Sequence, residues 1–142
     1  MAAKHKTIMH EWFDEVWNQG NASTIDRLLA ADTIVHGIVD KNGGVVRGPG
    51  AFKEFHRSFL NAFPDVKVEV LDTVVAGDKL AARCLVRGTH SGDGLGFKPT
   101  GKPAQFTGMC FARVENGKIV EAWNNFDFLT LHQQLGSLKN FA

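Results

Sequence analysis

The chain has 142 residues, a formal net charge of +1, 44% hydrophobic residues and 22% charged residues. That is the size and balance of a single soluble domain able to bury its own core. No run of Lys or Arg offers an electrostatic footprint for nucleic acid, no window approaches the roughly 18 apolar residues of a membrane span, and the basic Met1–Thr7 segment has no apolar signal core. Cys84 and Cys110 lack metal-type spacing and read as buried reduced thiols, so the expectation is a cytoplasmic protein, residues 1–142 forming one domain.

In chain order, Ile8, Met9, Trp12, Phe13, Val16 and Trp17 recur at helical spacing, which predicts a helix over His5 to Asn18, ended by Gly20. Ser23 reads as the N-cap of a second, short helix through Leu28 to Ala30. Thr33 to Val39 is short and β-branched and predicts a strand, returned by Val45 and Val46 across the Asn42-Gly43-Gly44 turn. Pro49 opens a third helix that buries Phe52, Phe55, Phe59 and Phe63 and is stopped at Pro64-Asp65.

From Val66 the hydrophobic period changes to two. Strands are predicted from Val66 to Ala76, Leu80 to His90, Ala104 to Glu115 and Lys118 to Asp127. The Gly77-Asp78 and Asn116-Gly117 turns join two pairs of them, and an irregular loop from Ser91 to Pro103 joins the middle pair. Phe128 to Leu135 closes as a short helix before Gly136. Helices first and an antiparallel meander afterwards define an α+β fold, in which a curled sheet covered by helices makes a cone with a small-molecule pocket at its open end.

Alternation sorts the strands into two faces. One is apolar: Val66, Val68, Val70, Ala82, Cys84, Val86, Phe106, Cys110, Ala112, Val114, Val120, Ala122 and Phe126. The other is mixed: Leu71, Thr73, Arg83, Leu85, Thr107, Met109, Phe111, Trp123, Asn125 and Asp127. Either the apolar face packs on the helices and the mixed face is wet, or the mixed face lines the pocket and the apolar face is covered by a second copy. Trp123, Met109 and Phe111 favour the second arrangement, which makes the protein a homodimer or a tetramer.

Several segments resemble one family. Glu15-Val16-Trp17-Asn18-Gln19-Gly20-Asn21, Ala62-Phe63-Pro64-Asp65, Gly77-Asp78-Lys79, Arg83, Gly88-Thr89-His90-Ser91-Gly92, Pro99-Thr100-Gly101-Lys102, Gly117 to Trp123 and Gln133-Gln134-Leu135-Gly136 recur in this order in SnoaL-like polyketide cyclases of the NTF2-like superfamily. The resemblance runs from about Ile8 to Gly136. It implies an NTF2-like cone and an intramolecular aldol cyclisation that uses neither metal nor cofactor. It also implies a catalytic Asp at the end of the last long strand, matched here by Asp127. The related limonene epoxide hydrolases hold such an Asp in an Arg/Asp network; Arg83 could match the Arg, but Leu85 stands where the second Asp is required.

The expected function is therefore acid/base cyclisation or isomerisation of a hydrophobic, carbonyl-rich small molecule. Asp127 is the general acid/base, its pKa raised by an apolar surround, or alternatively an N-cap of the final helix. His36, Arg83, Met109, Phe111, Trp123, Asn125, Trp17 and Phe63 are the expected substrate-binding residues. His36 can equally be a structural turn residue, and Trp17, Phe13, Phe59 and Phe63 plain core. The six His residues show no metal-ligand spacing, so no metal site is expected. The rival readings are a non-catalytic ligand-binding or dimerisation module and an epoxide hydrolase.

Overall fold

The computed structural model describes residues 6–40 and 42–138; the predicted helix start at His5 lies outside them. The first helix begins as α1, Ile8–Glu11, capped by the Thr7 side chain, and continues without a break as a π-helical segment, Trp12–Asn18. The wider coil is marked by Gln19 N donating to Asp14 O at 2.9 Å, five residues back, and π-helical turns of this kind concentrate at functional sites. Helix α2 spans Ser23–Leu28 and α3 spans Gly48–Ala62 with Pro49 in its first turn. Helix α4 spans Phe128–Leu135, ended by Gly136 in the left-handed conformation.

Six strands form one sheet: β1 Leu29–Val39, β2 Val45–Arg47, β3 Lys67–Ala76, β4 Lys79–Thr89, β5 Pro103–Glu115 and β6 Lys118–Phe126, in the order β2-β1-β6-β5-β4-β3. The last four make the predicted antiparallel meander. The Asn116-Gly117 turn has φ of 52° and 76° at its two central residues, the signature of a type I′ hairpin. β1 starts four residues earlier than the β-branched run suggests, because Leu29 pairs with Ile119 and β1 lies parallel to β6. That partner is ninety residues away in sequence and leaves no local trace at Leu29.

The apolar sheet face is the inner one. Ala82, Cys84, Val86, Ala104, Phe106, Cys110, Ala112 and Ala122 are buried on it against Met9, Trp12, Phe13, Trp17, Phe52 and Phe59 of the helices. This corrects the expectation that the mixed face looks into the cone. The first helix and α3 carry aromatic stripes that need an apolar cover, and only the face without charges can supply it; Arg83, Arg113 and Glu121 stay hydrated outside. Two bulges also shift parity. Leu71 is the extra residue opposite Arg83–Cys84, so Thr73 faces inward opposite Ala82. Val120 is the extra residue opposite Arg113–Val114, so Ile119, at 3% exposure, takes the core position the alternation assigns to Val120.

Two carboxamides hold helices to strands by imitating a peptide group. Asn18 accepts from Val68 N at 2.6 Å and donates to Val68 O at 2.9 Å, which joins the π-helical segment to the edge strand β3 and leaves less of that edge open to another chain. Gln134 does the same at Gln105, accepting at 2.8 Å and donating at 2.9 Å, and so docks α4 on β5.

Candidate functional site

Between the helices and the inner face lies a cavity of about 70 Å³. Nine aromatic rings line it: Trp12, Phe13, Trp17, Phe52, Phe55, Phe59, Phe106, Phe126 and Phe128. Trp12, Phe13 and Trp17 all come from the π-helical segment, and Trp17 meets Phe52, Phe55 and Phe59 edge-on at centroid distances of 6.1, 6.1 and 5.6 Å, the arrangement that ring quadrupoles favour. Aliphatic groups fill the rest, with Cys110 among them. Burial pushes the thiols of Cys84 and Cys110 up to about 12, so both are protonated and poor nucleophiles at neutral pH.

Asn124 is the one side chain with a hydrogen-bonding carboxamide in this wall. Its Nδ2 donates to the main-chain oxygen of His36 at 3.1 Å. β1 can come this close because residue 37 is glycine: its φ is +88°, and a Cβ there would stand 1.8 Å from Asn124 O. Neither parity face as read above includes Asn124. Asn124 nonetheless carries a signal in the sequence: it sits at an even position between Ala122 and Phe126, a lone polar residue on an apolar face.

A wider groove of about 760 Å³ lies beside the cavity, rimmed by Glu11, Asp14, Glu15 and Arg27, and it shares Phe13 and Val68 with the cavity. Those two side chains are the partition between the spaces. Arg27 is held by Glu11 at 2.5 Å and Glu15 at 2.9 Å.

Of the sequence-predicted site residues, Trp17 lines the cavity. Phe63 is buried core, its ring tilted between those of Phe59 and His90 at 5.1 and 5.5 Å. The others are brought together on the outer face. His36 stacks on Trp123 at 5.4 Å and pairs with Glu121 at 2.8 Å; Trp123 meets Phe111 edge-on at 5.6 Å; Met109 stands between Arg83 and Asn125 in the ladder. Arg83 binds Asp72 through both Nε and Nη2, at 3.0 and 2.6 Å, and so is not a partner of Asp127. For these residues the grouping by alternation is right and the direction reversed.

Asp127 follows β6 and caps α4. Its carboxylate accepts from Thr130 N at 3.0 Å and Thr130 Oγ1 at 2.7 Å. These bonds hold its pKa below the usual carboxylate value, the opposite of the raised pKa expected from an apolar surround. Its chain neighbours Phe126 and Phe128 are both cavity walls, but its own side chain is exposed.

Two buried polar atoms lack partners among the described residues, Thr33 Oγ1 and His90 Nε2, and neither residue lines the cavity. Among the described residues, no group of three or more His, Cys, Asp and Glu side chains converges as a metal site would, and no helix is long and apolar enough to cross a membrane.

The family profile of SnoaL-like polyketide cyclases matches residues 7–135. The chain belongs to that family. Among solved structures, it is similar to wild-type IdmH of Streptomyces antibioticus, a proposed polyketide cyclase: 32% identity over 90% of this chain and 95% of the other, TM-score 0.76. AclR of Streptomyces galilaeus, a proposed hydroxylase, is 26% identical over 93% of this chain and 96% of its own, TM-score 0.78. A Catenulispora acidiphila protein with a ketosteroid isomerase-like fold, 18% identical over 94% of this chain and 95% of its own, TM-score 0.76, speaks for the fold alone. No curated protein matches the chain. The fold is thus the α+β, NTF2-like cone of the SnoaL-like family, with an unclosed sheet whose edges are β2 and β3. Relatives named as a cyclase and as a hydroxylase share it, so the chemistry has to be argued from the site.

Proposed function

We propose that the protein binds a hydrophobic, carbonyl-bearing small molecule in the aromatic cavity and cyclises or isomerises it by acid/base chemistry without a cofactor. The observation that carries this reading is the cavity wall itself: nine rings and one carboxamide, with no carboxylate, amine or imidazole among its lining side chains. A charged ligand would lose its hydration there without a counter-charge, whereas a neutral apolar one gains from burial. An engineered cavity of about 150 Å³ takes benzene, so from about 70 Å³ even a one-ring ligand requires the Phe13 partition to move and open the cavity to the groove.

In this reading Asp127 is the proton-transfer group, reached between Phe126 and Phe128. As a capped carboxylate it is a weak base, and it works once ligand binding draws it from Thr130 and covers it, since desolvation raises its pKa. A second reading, a ligand-binding module without catalysis, is favoured by that same cap. Asp127→Asn separates the two, because Asn caps a helix as well as Asp does but transfers no proton. The enzyme reading expects the variant to keep its fold and ligand affinity and lose turnover of a β-polycarbonyl ester substrate. Wild-type turnover in the variant removes Asp127 from the mechanism. An epoxide hydrolase site is not supported, because Arg83 is committed to Asp72 outside.

The same proposal gives the outer sheet face to a second copy, making a homodimer. Two buried free thiols suit the reducing cytoplasm.

A further inference from the structure

The amide of Asn124 has a defined direction. Its partner, the main-chain oxygen of His36, can only accept a hydrogen bond, so the atom 3.1 Å from it is the nitrogen. The opposite end of the group is then Oδ1, which has no partner among the described residues and is not one of the two fully buried unpaired atoms. Gly37 fixes the strand geometry behind this contact: its backbone lies against Asn124 O, where any side chain would collide. The amide cannot rotate to present nitrogen without leaving the His36 oxygen unpaired and placing oxygen against oxygen.

We infer that Asn124 is the specificity-determining residue of the cavity and selects ligands that bring a hydrogen-bond donor into it. It rests on the reading that the cavity is the ligand site. The consequence for a carbonyl-bearing ligand is a choice of tautomer. A keto oxygen brings a second acceptor to face Oδ1, while the enol brings an O–H that Oδ1 accepts. At Asn124 the ligand therefore presents an enol hydroxyl, with its hydrocarbon part among the rings, and a keto oxygen elsewhere on it can be met only by the indole N–H groups of Trp12 and Trp17 in the same wall. Removing the amide leaves that hydroxyl buried without a partner, which costs more than the bond itself contributes.

The test uses two small isosteric rings, pyrrole, which donates through N–H, and furan, which has no donor. Each is titrated into the wild-type protein and into Asn124→Leu and Asn124→Ala, followed by NMR shifts of the cavity side chains. Wild type is expected to bind pyrrole about tenfold tighter than furan. Either folded variant is expected to lose that preference while keeping its furan affinity. Equal affinities in wild type, or a pyrrole preference that survives in a folded variant, overturn the inference and leave the cavity reading intact. If neither ring shifts the resonances of Trp17, Phe52 or Phe106, the cavity reading and the inference fall together. The wild-type ratio needs no variant, so a substitution that fails to fold does not protect the idea.

Discussion

Thr130 gives Asp127 two hydrogen bonds, from its backbone N at 3.0 Å and its hydroxyl at 2.7 Å, and this pair holds the carboxylate in its ionised form. The hydroxyl bond is the larger cause of the lowered pKa. Thr130→Val removes it and keeps the backbone bond. The expected result is a rise of the Asp127 pKa toward the ordinary carboxylate value, read by carbon NMR of the labelled side chain. Since the folded-state pKa is depressed, the stability from the cap is present above the ordinary pKa and is lost as pH falls through the folded value. The acid limb of thermal stability should flatten in the variant. An unchanged Asp127 titration would show that the backbone bond alone sets it.

Gly37 offers a sharper structural test. Gly37→Ala meets both a φ of +88° and a backbone oxygen 1.8 Å from the new Cβ, so β1 has to separate from β6. The expected loss is about 3 kcal/mol or more, as for other substitutions that force the backbone off its native path. Gly101→Ala is the control: its φ is +70°, but no atom lies within 4 Å of the added Cβ, so only the left-handed strain of about 1–2 kcal/mol applies. Urea denaturation distinguishes the two. Equal losses would mean that the contact with Asn124 relaxes freely.

The contrast between these two glycines also shows what the sequence holds and what it does not. The meander, its Asn116-Gly117 turn, the Pro49 helix start and the Gly136 stop are local, each written in a few consecutive residues. The division of the strands into two faces is local as well, except past the bulges. The choice of the inner face is not, because it depends on which partner the aromatic stripes of Trp17 and Phe59 require. The parallel pairing of Leu29 with Ile119, the bulges at Leu71 and Val120, and the closeness of Gly37 to Asn124 all depend on distant chain. Large side chains such as Met109 on the mixed face have the pattern of a pocket wall, while the cavity's own amide, Asn124, is a single polar residue among apolar neighbours.

Two buried imidazoles, His56 and His90, resist protonation in the fold. His56 bonds Val16 O at 2.6 Å inside the helical layer, and burial lowers its pKa from 6.5. His90 accepts from Thr100 N at 3.0 Å through Nδ1, which keeps that nitrogen unprotonated and anchors the loop after β4; burial lowers its pKa also. For both, the unfolded chain binds protons more readily than the folded one. Stability is therefore full above 6.5 and declines as pH falls below that value until the folded pKa values are reached. Melting temperature measured from pH 8 to 5 should drop over the lower part of this range, by less in His90→Gln. A flat profile between pH 6.5 and 5 would mean that the two rings take up protons in the fold as readily as in the unfolded chain.

The outer face makes the last prediction. Met109 and Phe111 are 60% and 41% exposed, with Trp123 and His36 stacked beside them. Arg83 with Asp72 and Arg113 with Glu115 pair around them. A centre of Met and aromatic side chains within a charged rim has the composition of a protein interface. In a two-fold dimer each copy presents the same patch to the other, so Met109→Glu with Phe111→Glu places like charges against one another at its centre. Light scattering during gel filtration is expected to give twice the chain mass for wild type and the chain mass for the double variant. Because both side chains point away from the cavity, furan and pyrrole affinities should not change with dissociation. A wild-type protein that elutes as a monomer at micromolar concentration would remove the second copy from this face.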